Sequence, residues 1–121
     1  MVELSIWKTQ LRKGAAELGV LAALADRPRY GLEIFEYVND GSALAISEGT
    51  LYPLLNRLQR DGKLSSKWIE DKGASHPRKY YSLTRDGRLT LAAMVAEWRN
   101  FSSGMQRLLH DGGKDARTER S

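Results

Sequence analysis

The sequence predicts a mainly α-helical domain with one β-hairpin, of the α+β class, on a single chain of 121 residues. Apolar residues recur at helical spacing in four segments, and two strand-like segments joined by a polar stretch separate the third helix from the fourth. The chain is 41% hydrophobic and 28% charged, which is ordinary for a globular protein, and its length fits one domain. The absence of cysteine excludes a disulfide scaffold, a zinc finger and a thiol nucleophile.

The first two predicted helices cover residues 4–25 and 30–38. In the first, apolar residues at steps of three, four and seven share one face: Leu4, Trp7, Leu11, Leu18, Leu21 and Ala25. Pro28 separates the two helices, because proline lacks an N–H group and disfavours helical angles in the residue before it. A polar turn over 39–42 ends the second helix.

The third predicted helix runs from an N-cap at Ser47 to Asp61, with Gly62 as its C-cap. Its buried face is marked by leucines at i, i+3, i+4 and i+7: Leu51, Leu54, Leu55 and Leu58. The opposite face has no large aliphatic residue. Its members are Gly49, Pro53, Asn56 and Arg60, flanked by Tyr52 and Arg57. Amide, guanidinium and phenol groups read base edges and hold phosphates, although any solvated helix is also polar outward. Pro53 is expected in or near the first turn, where its missing N–H is not needed.

Two strand-like segments flank a polar loop and predict a projecting hairpin: 63–70 and 78–83. Alternation in the second strand places Tyr81 and Leu83 on the buried face and Arg78 and Tyr80 on the outward face. Arg78 and Lys79 supply the cations that a wing on a phosphate backbone or in a minor groove requires. A solvated hairpin is the competing interpretation.

The final predicted helix follows its cap, Thr84. Six of its apolar residues are separated by 3, 4, 3, 4 and 3 positions and form an a/d seam: Leu91, Met94, Trp98, Phe101, Met105 and Leu108. A monomer of this size could hardly cover so broad a stripe, so we predict a homodimer to which the first helix contributes Trp7 and Leu11. The aromatic rings of Trp98 and Phe101 could also stack on a planar hydrophobic small molecule. For Trp98, packing and ligand contact both stay open.

Three helices, a hairpin and a further helix form the layout of a winged helix-turn-helix. The predicted organisation is a winged-helix DNA-binding domain over 1–83, a C-terminal dimerisation helix over 84–110 and a disordered, glycine-rich tail over 111–121. The net charge is +4, and the segment 47–80 holds seven Lys and Arg against four Asp and Glu. Such clustering suits double-stranded DNA, and it also suits a solvated surface.

Other function classes find little support in the sequence. His76 and His110 have no neighbouring carboxylate pattern, and no residues are spaced as metal ligands. No apolar run reaches the roughly 18 residues of a membrane span, and the first ten residues lack the layout of a signal peptide. We therefore predict a non-catalytic, cytoplasmic protein without a metal or cofactor.

Five segments carry a family resemblance: LRKG at 11–14, PRYGLEI at 28–34, SEGTLYPLLNRL at 47–58, RKYYSLT at 78–84 and EWR at 97–99. Through them the chain resembles the PadR family of bacterial transcriptional regulators over about 9–109. Its single helix after the hairpin resembles the smaller subfamily, which has one C-terminal dimerisation helix.

The resemblance implies a dimeric winged-helix repressor that releases a near-palindromic operator when a small molecule or another signal acts. By matching positions, it implies major-groove contacts from Gly49, Thr50, Tyr52 and Asn56, phosphate contacts from Lys13, Tyr30 and Arg57, and wing contacts from Arg78 and Lys79. In some relatives, paired tryptophans of the final helices sandwich planar aromatic compounds at the dimer interface. Trp98 matches that position.

Two further hypotheses come from other function classes. A small-molecule-binding or protein-adaptor dimer without specific DNA recognition would lack cations on the third helix and the hairpin, and here they are present. A catalytic protein acting through a hydrophobic pore would show turnover in a pure sample that Trp98→Ala removes.

Overall fold

The computed structural model describes residues 1–41, 44–70 and 72–120, with side chains described up to residue 110. The elements follow one another in this order: α1 (Ser5–Ala23), β1 (Arg29–Tyr30), α2 (Gly31–Asn39), α3 (Glu48–Arg60), β2 (Leu64–Ile69), β3 (Arg78–Leu83) and α4 (Arg85–Arg120). The strands form an antiparallel sheet in the order β1-β3-β2. The α+β class and the winged-helix layout are confirmed. Within the described residues, no helix has both the length and the apolar character of a membrane span.

The core is built from α1, α2, α3 and the inner face of the sheet. Its largest fully buried side chains are aliphatic: Leu21, Leu24, Ile34, Leu51, Leu55, Leu58 and Val20. Only the second half of α1 takes part, since its buried residues are Ala16, Val20, Leu21 and Ala23. The first half of the stripe predicted on this helix is exposed, including Trp7 and Leu11. The regular spacing of apolar residues along α1 therefore continues from an exposed first half into a second half that lies in the core.

A short strand that the sequence does not predict precedes α2. Arg29 pairs with Tyr81 and Tyr30 with Tyr80, so the hairpin gains a third strand. The sequence places Tyr30 in the second helix instead. Pro28 favours extended backbone around it, and Tyr30 then serves as the N-cap of α2, with its N–H donating to Oε1 of Glu33 at 3.2 Å. Two residues are too few to show a strand period.

The corner between α2 and α3 is held by one amide side chain. Nδ2 of Asn39 donates to the carbonyl of Ile46 at 2.8 Å, and its Oδ1 accepts from the N–H of Ile46 at 2.8 Å. Next to this clamp, Ala45 has φ of 48°, in the left-handed region that favours glycine. The corner therefore combines a two-bond clamp with local backbone strain.

The third helix begins as the sequence predicts. Oγ of Ser47 accepts the N–H of Thr50 at 3.2 Å, which confirms the N-cap. Three of its four leucines are fully buried, and Leu54 is half-buried. Pro53 lies beyond the first turn, contrary to expectation, so the carbonyl of Gly49 loses its usual intrahelical donor.

The junction between the hairpin and α4 is held by hydrogen bonds of Thr84. Tyr81 and Leu83 of β3 are buried, as alternation predicts. Oγ1 of Thr84 donates to the carbonyl of Gly62 at 2.6 Å and accepts from the N–H of Gly87 at 2.9 Å. The N–H of Thr84 donates to the carbonyl of Lys63 at 3.1 Å. Thr84 is thus the cap of α4 and its tie to the start of β2.

The chain forms two compact units, Met1–Leu91 and Ala92–Ser121. The bounds of α4 run on to Arg120, past the end that the sequence predicts near residue 110. The predicted tail over 111–121 falls on residues whose side chains lie outside the described part of the chain. The division into 1–83, 84–110 and 111–121 stays a prediction.

Candidate nucleic-acid interface

The face of α3 opposite its buried leucines is open to solvent. Every residue that the sequence places there is exposed: Gly49, Tyr52, Pro53, Asn56, Arg57 and Arg60. Thr50, which the family resemblance adds, is exposed as well. The side chains on this face carry hydroxyl, amide and guanidinium groups, the kinds that pair with base edges in the major groove. The helix is therefore held by one apolar face and offers a polar one.

Tyr52 is the most constrained member of this face. A Cβ built at Gly31, the first residue of α2, would lie 2.6 Å from Cε1 of Tyr52. Burial raises the pKa of the Tyr52 phenol, and the nearby Glu48 and Tyr81 raise it further. The phenol stays protonated at neutral pH and can both donate and accept a hydrogen bond. The residue is 38% exposed.

Arg57 is engaged by two carboxylates. Its Nη2 lies 2.6 Å from Oε1 of Glu17 on α1, and its Nη1 lies 3.4 Å from Oδ2 of Asp61. The hydrogen bond that Arg57 donates to Glu17 is the main reason that the pKa of Arg57 is raised, against a smaller effect of burial. The sequence predicts a phosphate contact at Arg57, and it misses both of these ion pairs.

The outer face of the sheet carries a column of two tyrosines and an arginine. The rings of Tyr30 and Tyr80 meet edge to face, with centroids 5.4 Å apart and planes at 73°. Cζ of Arg78 lies 4.4 Å from the centroid of the Tyr30 ring, within cation–π range. Tyr30, for which the resemblance implies a phosphate contact, and Arg78, for which it implies a wing contact, are thus brought together.

Lys79 lies on the other face of β3. Its Nζ is 5.3 Å from the centroid of the Tyr81 ring, on the side of the sheet that carries the buried Leu83. The two wing cations are therefore divided between the faces of the hairpin. Lys13 is exposed on α1, one helical turn before Glu17.

Arg29 is a positioning residue that the sequence does not reveal. It is buried, and its Nε donates to the carbonyl of Ala23 at 2.7 Å at the end of α1. Its Nη2 pairs with Asp26 at 3.3 Å, and its guanidinium lies 4.2 Å from the centroid of the Tyr37 ring. These contacts fix β1, and with it the neighbouring Tyr30. Its place directly after Pro28 is the one signal, and that signal is weak.

The predicted dimer seam is unevenly exposed. Its distal residues are exposed on α4: Trp98, Phe101, Met105 and Leu108. Leu91 and Met94 are half-buried. The rings of Trp98 and Phe101 lie side by side, with centroids 6.4 Å apart and planes tilted by 39°. Apolar exposure on this scale along one helix is typical of an interaction surface.

The described residues include no group of three or more His, Asp or Glu side chains placed to hold a metal ion. Aromatic, amide and guanidinium groups make up the candidate interface instead.

The chain is similar to known proteins of one family. The family model described as "Transcriptional regulator PadR-like family" matches residues 20–93, which span α2, α3, the hairpin and the start of α4.

Solved structures of similar chains cover most of this one. A PadR-like transcription factor from Bacteroides fragilis is 37% identical, with 84% of this chain and 96% of that one covered at a TM-score of 0.68. A PadR family regulator from Eggerthella lenta is 35% identical, with coverages of 88% and 91% and a TM-score of 0.76. A PadR-like regulator from Bacillus cereus is 29% identical, with coverages of 83% and 96% and a TM-score of 0.76.

Proposed function

Because the chain belongs to the PadR-like family of transcriptional regulators, we propose that it is a repressor that binds a near-palindromic operator as a homodimer and leaves it when a small-molecule effector binds. Transcription regulation, DNA binding and the winged helix are properties of the family. Members of the family are in general non-enzymatic DNA-binding proteins, and we propose no catalytic activity here.

One observation carries the proposal: α3 is capped and packed so that its whole polar face is exposed. An α-helix fits the major groove of B-DNA, where each base pair presents a distinct set of donors and acceptors. Gly49 and Thr50 at the start of α3 allow close approach, and Tyr52 and Asn56 supply polar groups for base edges. Arg60 lies on the same face and adds a cation.

Phosphate contacts come from the flanks of the same unit. Lys13 on α1, Arg57 on α3 and the stacked Tyr30–Arg78 pair supply cations and a phenol for backbone oxygens. Lys79 on the other face of β3 gives the wing a second cation. These contacts make affinity depend on salt, because each neutralised phosphate releases counterions.

A homodimer supplies two copies of α3, one for each half of a two-fold symmetric operator. We propose that the exposed seam of α4, together with Trp7 and Leu11 of α1, is buried against a second copy of the chain. Two recognition helices then reach major grooves about 34–36 Å apart, one helical turn along the DNA. Trp98 and Phe101 offer adjacent rings that a planar hydrophobic effector can stack on.

A mobility-shift titration against the DNA upstream of the protein's own gene tests the repressor. We expect a saturable shift that survives competitor DNA and weakens steeply as salt rises. Weak binding that competitor DNA removes, at every salt concentration, contradicts specific recognition. Binding of planar aromatic compounds without any DNA shift supports the small-molecule-binding dimer instead.

A further inference from the structure

Glu17 lies on α1, outside the residues proposed to touch DNA, yet its carboxylate holds an arginine of α3. Oε1 of Glu17 accepts a hydrogen bond from Nη2 of Arg57 at 2.6 Å, slightly shorter than the roughly 2.7–2.9 Å usual for a charge-assisted bond. The two residues are 40 positions apart, so this contact ties one helix to another. Nη1 of the same guanidinium faces Asp61, one turn further along α3.

The pair is accessible to a competing anion. The side chain of Arg57 is 46% exposed and that of Glu17 is 29% exposed. Ion pairs this open to water are weak, because solvent screens the attraction. A phosphate oxygen accepts hydrogen bonds from guanidinium in the same geometry as a carboxylate oxygen. A DNA backbone alongside α3 therefore offers Arg57 an alternative partner.

We propose that Glu17 is an internal competitor for Arg57, which occupies the guanidinium in the free protein and yields it to a backbone phosphate when α3 enters the groove. The inference rests on the proposed function, since it assumes that Arg57 contacts DNA. Glu17 contacts no nucleotide and acts through Arg57. Binding then exchanges one intramolecular ion pair for one phosphate contact, and this exchange lowers affinity below that of a free arginine.

The opposite role makes the opposite prediction. If Glu17 holds Arg57 in the orientation that a phosphate needs, removal of its charge weakens DNA binding. If Glu17 competes for Arg57, removal of its charge tightens binding. The sign of one substitution therefore separates the two roles.

The test compares the wild type with Glu17→Gln for binding to a short labelled duplex at several salt concentrations. Competition predicts that Glu17→Gln binds about 1.4- to 5-fold more tightly at low salt, the range of an exposed ion pair. It also predicts a salt slope that is steeper by up to about 0.9, the value for one phosphate. Weaker or unchanged binding by Glu17→Gln overturns the proposal.

A matched control removes the same charge elsewhere. Glu97 is exposed on α4, and Glu97→Gln changes the net charge of the chain equally. We expect it to leave the salt slope as in the wild type. An equal gain in affinity from Glu97→Gln assigns the effect to net charge and overturns the proposal.

The same substitution made in an Arg57→Gln variant shows whether Glu17 acts through Arg57. In an Arg57→Gln variant, assayed at low salt where general phosphate attraction suffices for binding, Glu17→Gln should change the affinity no further. A gain that persists there means direct repulsion between Glu17 and DNA, and it overturns the proposal. Failure of the wild type to bind any duplex contradicts the proposed function itself. Wild-type binding without a gain in Glu17→Gln contradicts only the competition.

Discussion

The ring of Tyr52 on α3 fills the space in front of Gly31, the first residue of α2, so closely that an added methyl group would stand 2.6 Å from a ring carbon. The two helices of the helix-turn-helix meet at this contact. Tyr52 is thus a packing residue on one side and a candidate base contact on the other, since 38% of its surface stays exposed. We therefore expect a change at Gly31 to act on DNA binding through the tyrosine.

We expect Gly31→Ala to weaken DNA binding more than it weakens the fold. The tyrosine ring is the flexible end of a side chain and can move away from the methyl group, which leaves it misplaced for a base. Unfolding free energy should change by less than about 1 kcal/mol, while affinity falls by roughly 1–3 kcal/mol, the value of one good base contact. Thermal unfolding and fluorescence anisotropy measure the two quantities.

Gly14→Ala is the control for this experiment. Gly14 lies inside α1, and a Cβ there meets no atom within 4 Å. Alanine should stabilise the helix by up to about 1 kcal/mol and leave DNA affinity unchanged. Unaltered DNA affinity in Gly31→Ala would refute the role given to Tyr52.

Tyr52→Ala and Arg57→Ala should each abolish specific binding and leave the dimer folded. Both side chains lie on the exposed face of α3, so their loss removes groups that face the groove without opening the core. Mobility shift with the operator measures binding, and size-exclusion chromatography checks the dimer. Operator affinity that survives in both variants contradicts the assignment of α3 as the recognition helix.

Asn39→Ala should destabilise the protein by about 1–3 kcal/mol. The side chain supplies both hydrogen bonds to the backbone of Ile46, and Ile46 is only 6% exposed, so these groups would lose their partners in a poorly hydrated site. Urea denaturation monitored by circular dichroism gives the change. A loss below about 0.5 kcal/mol would mean that water replaces the clamp.

Ala45→Gly should stabilise the same corner slightly, or leave it unchanged. The φ of 48° at Ala45 is strained by about 1 kcal/mol for a residue with a Cβ, and glycine removes that strain while adding freedom to the unfolded chain. Gly62→Ala is the reverse experiment, because Gly62 has φ of 79° and alanine introduces strain. Urea denaturation should show a loss of stability in Gly62→Ala and none in Ala45→Gly, and a clear loss in Ala45→Gly would contradict the account.

Met105→Glu should convert the proposed dimer into monomers. Met105 lies in the exposed seam of α4, where a carboxylate buried against a second copy would lose its hydration. Sedimentation velocity at several concentrations measures the effect. Arg99→Glu, on an exposed position of α4 outside the seam, should leave the dimer intact. A wild type that is monomeric at all concentrations would contradict the interface.

Much of the fold follows from local sequence. The leucines of α3, the cap at Ser47 and the alternation in β3 obey short-range rules, and all appear where those rules place them. The strand at Arg29 does not follow, because its partners at Tyr81 and Tyr80 lie about 50 positions away. Two residues are too few to show the alternation of a strand, and pairing with a distant segment adds no local sequence pattern.

The candidate site shows the same limit. The exposure of the polar face of α3 could be predicted, since this face lies opposite the buried leucines. The engagement of Arg57 by Glu17 could not, because the pair depends on how α1 packs against α3. Likewise, the stacking of Arg78 on Tyr30 requires the strand that the sequence does not reveal.

The hydroxyl of Thr84 has a mechanical consequence. It bonds at once to the last turn before β2 and to the first turn of α4, so the join between wing and helix is stiff. A torque on the first turn of α4 therefore reaches the base of the hairpin through the bonds of Thr84 and the Lys63–Asp86 ion pair, with no slack segment between them. Thr84→Val, which keeps the shape and removes the bonds of the hydroxyl group, would loosen that joint, while the bond from the N–H of residue 84 to the carbonyl of Lys63 remains.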